Sequence, residues 1–147
     1  MIFLDKAVVS LNGRATTAKD AIRESGGLLV ASHAVKESYV EAMVKSFEDN
    51  GPYIVLAPHI AVPHARPEDG VTEPSVSLIR YREGISFGHK NNDPVHLVFA
   101  LGASSSDEHL ALLKKLTELL GKKENATKFI EANSYEDLTT LIGGTNQ

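Results

Sequence analysis

The chain carries six histidines, His33, His59, His64, His89, His96 and His109, and no cysteine. A catalytic thiol, a disulfide and a cysteine-based zinc site are therefore excluded. Chemistry falls to imidazole, which near neutral pH serves as nucleophile, proton carrier or metal ligand. His64 stands out by its setting. It closes the apolar run "LAPHIAVPH", follows Pro63 and precedes "ARPEDG". That second stretch must be loop, because Pro67 lacks a donor and fixes its own φ. A side chain at a strand exit in an α/β sheet projects into the crevice where ligands usually bind. Spacing alone leaves His64 evenly divided between a loop histidine and a chemical one. His109 lies near the start of a leucine-rich helix and by itself reads as an exposed first-turn residue. If the strand before that helix neighbours the one ending at His64, both imidazoles reach the same end of the sheet. His33, near a helix end, and His89, in the turn "GHKNND", read as solvated. His96, inside an apolar strand, reads as a satisfied core histidine or as lining a face.

Other chemistries find less support. No HExxH occurs, and His59 and His64 are five apart, which is not a helical ligand pair. A zinc site would have to be gathered from scattered histidines and carboxylates, and no metal is expected. No GxSxG elbow is present for a serine hydrolase.

The elements that must position these residues follow from hydrophobic periodicity and breakers. With 147 residues, 42% hydrophobic and 23% charged, the chain fits one domain with a core of its own and is neither disordered nor fibrous. The net charge of −4 and the lack of a basic face exclude a nucleic-acid binder. Lys114-Lys115 and Lys122-Lys123 read as solvated helix sides. "MIFLDKAVVSLNGR" lacks a basic start and a long apolar run, so no signal peptide is expected. No apolar stretch approaches the ~20 residues that span a bilayer. A cytoplasmic location without membrane insertion is expected, which the absence of cysteine fits.

Thr16 or Thr17 caps a helix starting near Ala18, and Gly26-Gly27 would divide it into two pieces. "KESYVEAMVKSFEDNG" places Tyr39, Val40, Met43, Val44 and Phe47 on one helical face and ends at Asn50-Gly51. Tyr53 to Ala57 reads as a strand that Ile60 to Val62 continues past Pro58. "SVSLIRY" alternates, with Val76, Leu78 and Arg80 opposite Ser77, Ile79 and Tyr81. Pro94 to Ala103 is almost wholly apolar, as in a strand covered on both faces. "SSSD", Ser104 to Asp107, caps a helix with a stripe of Leu110, Leu113, Leu116, Leu119 and Leu120. A helix over about 124–132 follows, then a cap at Ser134 with Asp137, then a last helix burying Leu138, Leu141 and Ile142. Strands mixed with helices predict an α/β layered domain.

"IAVPHARPEDGV" resembles the phosphohistidine signature of the enzyme IIA domains of the bacterial sugar phosphotransferase system, of the fructose, mannitol and nitrogen-regulatory (type 2) kind. The likeness extends through "FGHKNNDPVHLVFALGA" and "SSSDEHLALLKKLTELL", where such domains carry a second histidine before a leucine-rich helix. "NGPYIVLAP", "HARPEDGV" and "NNDPV" are similar to the ascorbate-type members. The resemblance implies one domain over residues 1–147, a three-layer α/β/α fold whose central mixed β-sheet carries helices on both faces. It implies phosphoryl relay in sugar uptake: from the histidine-containing phosphocarrier protein to this chain, then to a cysteine of a cognate IIB component that serves a membrane IIC component. By position His64 matches the phosphorylated histidine and His109 its partner. Two departures stand out. Ascorbate-type members usually show glycine where this chain has His59, a residue that could tune the site. Mannitol-type members carry an active-site arginine in the upstream helix, and "KSFEDN" offers none, so Arg66 is the nearest source of positive charge.

Relay at histidine requires the neutral ring, which its ordinary pKa of about 6.5 makes available. The transferred group passes through a loose, in-line transition state with charge on its equatorial oxygens. Donors are needed there, and no general base or cofactor. His109 and main-chain N–H groups near His64 and Ser104 to Ser106 are the candidate donors. A regulatory module of the same fold and, further off, a histidine-liganded metal enzyme are the competing functions. The sugar is not readable, because its selection belongs to the membrane component.

Overall fold

The computed structural model describes residues 1–145. Thr17 accepts a hydrogen bond from Asp20 N–H (3.2 Å) and starts α1, Ala18–Ala31. The helix runs through Gly26-Gly27 without a break, contrary to the expected division. A Cβ on Gly26 would lie 2.9 Å from both Met43 and Val40. The glycine thus lets α1 approach α2, Glu37–Asn50, and tertiary packing offsets its poor helix propensity.

The strands form two hydrogen-bonded groups. One has three strands in the order β1 (Ile2–Phe3), β5 (Ser75–Val76), β8 (Leu101–Gly102). The other has five in the order β2 (Val9–Ser10), β6 (Leu78–Ile85), β7 (Val95–Val98), β4 (Ile60–Ala61), β3 (Val55–Ala57). Parallel and antiparallel pairs are mixed. The chain passes from β5 to β6 through Ser77, whose N–H donates to Ala100 O (3.0 Å). The two groups are therefore consecutive stretches of one bent layer.

Both faces of that layer are covered. On the α1–α2 side lie Ile79, Tyr81, Val95, Val98 and Ala100. On the other, Val76, Leu78, Leu97, Phe99 and Leu101 pack under α3 (Ser106–Leu120), α4 (Lys123–Glu131) and Ile142 of α5 (Thr139–Thr145). The alternation read from "SVSLIRY" and the double-sided burial of Pro94 to Ala103 both hold, and the fold is the three-layer α/β/α arrangement. Arg80 is enclosed on the α4 side at 1% exposure. Its guanidinium donates to Leu11 O (3.0 Å), Ile130 O (2.7 Å) and Ala132 O (2.8 Å).

Two expectations are corrected. Ile60 does not continue the strand of Val55–Ala57. The chain reverses at Pro58-His59, with His59 at φ +71, and β4 returns antiparallel to β3. On α3 the buried leucines are Leu112, Leu116 and Leu119, while Leu110 is 65% exposed. Leu113 and Leu120 are half-buried and face a groove of about 220 Å³ shared with Leu56, Ala57, Ile60 and Val62. Among the described residues no helix is long and apolar enough to cross a membrane.

Candidate active site

β4 is held by β7 in parallel register, Ile60 opposite Leu97 and Ala61 opposite Val98. The ladder runs on briefly: Phe99 N–H donates to Ala61 O (2.9 Å) and Leu101 N–H to Pro63 O (2.9 Å). Pro63 has no N–H to extend the pairing. The chain then leaves the sheet and releases the half-buried His64 at its rim. The same two ladders position His109. β7 leads into β8, and Ser105 stops the chain as the N-cap of α3. Its hydroxyl accepts Glu108 N–H (3.2 Å), and the Glu108 carboxylate accepts Ser104 N–H (2.8 Å). His109 sits in the first turn. Neighbouring strands therefore bring His64 and His109 together, with ring centroids 4.9 Å apart and planes inclined at 60°.

The His64 ring is fixed from within its own loop. Its Nδ1 lies 2.9 Å from Val62 O. A carbonyl only accepts, so Nδ1 carries the proton and Nε2 keeps its lone pair. Tyr53 stands edge-on to the ring at 5.7 Å between centroids. His109 is held below its ordinary pKa, first by burial and then by the nearness of His64. It is therefore neutral at neutral pH and has an N–H to donate. The pair offers a nucleophilic nitrogen beside a hydrogen-bond donor.

A cleft of about 520 Å³ opens beside His64, lined among others by Lys45, Asp49, Tyr53, Arg66 and Asp69. Arg66 lines it but is committed to acids: its guanidinium lies 3.2 Å from Asp69 and 3.8 Å from Glu68. Lys45 lies 3.5 Å from Asp49. The cations at this cleft thus come with carboxylates alongside. Ser104 and Ser106 are exposed at the start of α3. The side chain that caps the helix is Ser105, between them. The N–H groups of Ser106 and Asp107 occupy first-turn positions, where the helix supplies no acceptor.

The remaining histidines lie elsewhere. His59 is at the opposite end of β4, its Nδ1–H donating to Pro94 O (2.8 Å), its ring 5.6 Å from that of His96. His96 donates in turn to Tyr81 O (2.8 Å). His89 accepts Asn92 N–H (3.1 Å), and His33 is exposed. Among the described residues no three or more His, Asp or Glu side chains gather as a metal cage.

Sequence reasoning missed Tyr39, counted only as an apolar face residue of α2. Its hydroxyl is buried beneath the His64 loop, accepting Ala65 N–H (3.0 Å) and donating to Leu101 O (2.7 Å). A tyrosine within an apolar stripe was the available signal, since a buried phenol finds a partner. Tyr53, read as the first residue of a strand, instead precedes β3 and borders His64.

Residues 2–144 match the family described as "Phosphoenolpyruvate-dependent sugar phosphotransferase system, EIIA 2". The ascorbate-specific PTS system EIIA component of Shigella boydii is 32% identical over 139 residues, 94% of this chain and 90% of that protein. A putative PTS IIA (PtxA) from Streptococcus mutans superposes with a TM-score of 0.88 at 28% identity, covering 99% of this chain and 96% of that one. The mannitol enzyme IIA of Escherichia coli, in its complex with phosphorylated enzyme IIB, gives a TM-score of 0.85 at 29% identity, with 97% and 99% covered.

Proposed function

Since the chain belongs to the EIIA 2 family of the phosphoenolpyruvate-dependent sugar phosphotransferase system, and is thus a phosphotransferase, we propose that His64 is its phosphoryl carrier. The observation that carries this is the His64 ring, with its Nδ1–H on Val62 O and its centroid 4.9 Å from that of His109, which leaves the lone pair on Nε2. In the first step Nε2 bonds to phosphorus as the N–P bond of the phosphorylated histidine-containing carrier protein breaks, its electron pair remaining on the donor ring. Val62 O stabilises the positive charge that the His64 ring gains. His109 donates to an equatorial oxygen, with Ser106 and Asp107 N–H as further donors. In the second step a cysteine thiolate of a IIB component attacks phosphorus, and the pair of the Nε2–P bond returns to His64. No proton leaves Nδ1 at either stage.

Among the described residues, three of the four exposed large apolar side chains, Tyr53, Leu56 and Leu110, are near the histidines in sequence or packing. Tyr53 touches the His64 ring, Leu110 follows His109, and Leu56 borders the groove that begins at Val62. This rim suits brief docking of protein donors and acceptors of modest interface area. The ascorbate-specific relatives favour an ascorbate-type IIB as the acceptor; a cytoplasmic site of action and one domain over residues 1–147 belong to the same proposal.

Incubation with phosphoenolpyruvate and the general carrier proteins, followed by phosphopeptide mapping, tests the reading. One acid-labile phosphoryl group is expected on the peptide holding His64, none on His64→Ala, and discharge to an ascorbate-type IIB faster than to a mannitol-type one. Uptake by His64→Ala at the wild-type rate ends the assignment.

A further inference from the structure

The two reacting-site imidazoles stand on different segments, His64 on the loop after β4 and His109 on α3 after β8, and their spacing has to be set by something that touches both. Leu101 N–H reaches Pro63 O on the sheet side. Beyond Pro63 no further sheet pairing is available, and the loop bends away. There the hydroxyl of Tyr39, a residue 1% exposed, meets both segments: it accepts Ala65 N–H at 3.0 Å and donates to Leu101 O at 2.7 Å. Ala65 O, at 3.4 Å, is the poorer acceptor for its single proton. From Val62 the chain reaches Ala65 in three residues, so the only side chain between the Pro63 tether and the Tyr39 tether is that of His64.

We infer that Tyr39 is a positioning residue for phosphoryl transfer, its hydroxyl clamping the His64 loop to the strand that leads to His109 and so fixing the distance between the two rings. This rests on the relay reading given above.

Three further observations support the clamp. α2 is itself fastened to the far end of the same loop, through Lys36 N–H to Gly70 O (2.8 Å) and Ser38 Oγ to Asp69 O (3.1 Å). Tyr39 therefore projects from an element that cannot drift away from the loop. The phenol pKa is pushed up to about 12, chiefly by burial, so its proton stays available to Leu101 O at every physiological pH. The hydroxyl is also the sole polar group that α2 sends into the layer at this place; Val40, Met43 and Val44 are apolar and buried.

The substitution Tyr39→Phe removes one oxygen and keeps the ring. Tyr81→Phe serves as the control: Tyr81 is likewise buried, and its hydroxyl donates to Glu24 (2.6 Å) on α1, touching neither the His64 loop nor the strand that leads to His109. Tyr39→Phe is expected to lower the maximal rate of phosphoryl uptake from the phosphorylated carrier protein by roughly tenfold, since small misplacements at a reacting centre are costly. The carrier concentration for half-maximal rate is expected to stay as in wild type. Nitrogen-15 NMR of the uncharged protein gives a second readout that needs no transfer. The His64 Nδ1–H signal should broaden or shift, and the His109 titration should move towards that of free imidazole, in Tyr39→Phe alone. If both variants slow transfer equally, or if Tyr39→Phe leaves rate and ring signals unchanged, the clamp is refuted. A wild-type protein that takes up no phosphate would overturn the relay and leave the NMR comparison to decide the clamp.

Discussion

At the scale of the residue, the proposed relay rests on the contrast between two neighbouring imidazoles. In His64 a carbonyl fixes Nδ1 and leaves the lone pair on Nε2. His109 is biased toward neutrality by burial, then by His64. A histidine with a lowered folded pKa favours folding above the ordinary imidazole value, and that contribution is lost as pH falls from there toward its own lower value. NMR titration of the unphosphorylated protein should therefore give His109 a midpoint below that of free imidazole. A dianionic phosphoryl group on His64 should reverse the bias, because an adjacent negative charge favours the cation. The midpoint in the phosphoprotein is expected to rise above its unphosphorylated value, and His109→Ala should fold yet transfer slowly in both directions. A midpoint that ignores phosphorylation would mean that His109 does not face the group. The proline and strand exit singled out His64 without deciding its role, and His109 by itself read as an exposed first-turn residue; only the family resemblance paired them, and the fold sets their rings 4.9 Å apart. Tyr39 was not legible, because a hydroxyl's partner depends on which segment passes beneath it, and no local pattern encodes that.

At the scale of the element, helix phase and helix continuity were the weak points of the sequence reading. Leu110, Leu112, Leu113, Leu116, Leu119 and Leu120 are dense enough to draw two stripes on one helix. Packing under Phe99 and Leu97 selected Leu112, Leu116 and Leu119. The strand "YIVLAPHIAV" read as continuous because apolar runs carry no mark of a reversal, and the left-handed turn fell on a histidine instead of a glycine. Gly26-Gly27 read as a break because propensity was judged without a neighbour. The two glycines should now behave oppositely. Nothing lies within 4 Å of a Cβ on Gly27, which is exposed. Gly27→Ala should therefore stabilise by about 0.5–1 kcal/mol, by helix propensity alone. Gly26→Ala should destabilise, since its methyl meets Val40 and Met43 at 2.9 Å. Denaturant midpoints with unchanged slopes would check both signs. Equal effects at the two positions would contradict the close approach of α1 to α2.

At the scale of the molecule, the C-terminal helices are fastened to the sheet at Arg80. Its three carbonyl acceptors come from the loop after β2 and from the end of α4, while its Nη2 has no hydrogen-bond partner. Removing the guanidinium leaves those carbonyls buried and unpaired. Arg80→Met is expected to cost about 3 kcal/mol or more of global stability in urea unfolding, with the His64–His109 geometry retained; a loss below ~1 kcal/mol would show that the fastening is idle. The alternation along "SVSLIRY" placed Arg80 on its correct side, but its acceptors come from remote segments and were not readable. The tether of His64 to Val62 O has a wider consequence. In the proposed relay, reactivity is written into three consecutive residues, Val62 to His64, whereas the exposed rim of Tyr53, Leu56 and Leu110 belongs to separate parts of the chain. A duplicated copy could exchange its rim, and with it the proteins it serves, while inheriting an untouched phosphorus-seeking atom. Such a division lets lineages diversify their clients without reinventing the reaction.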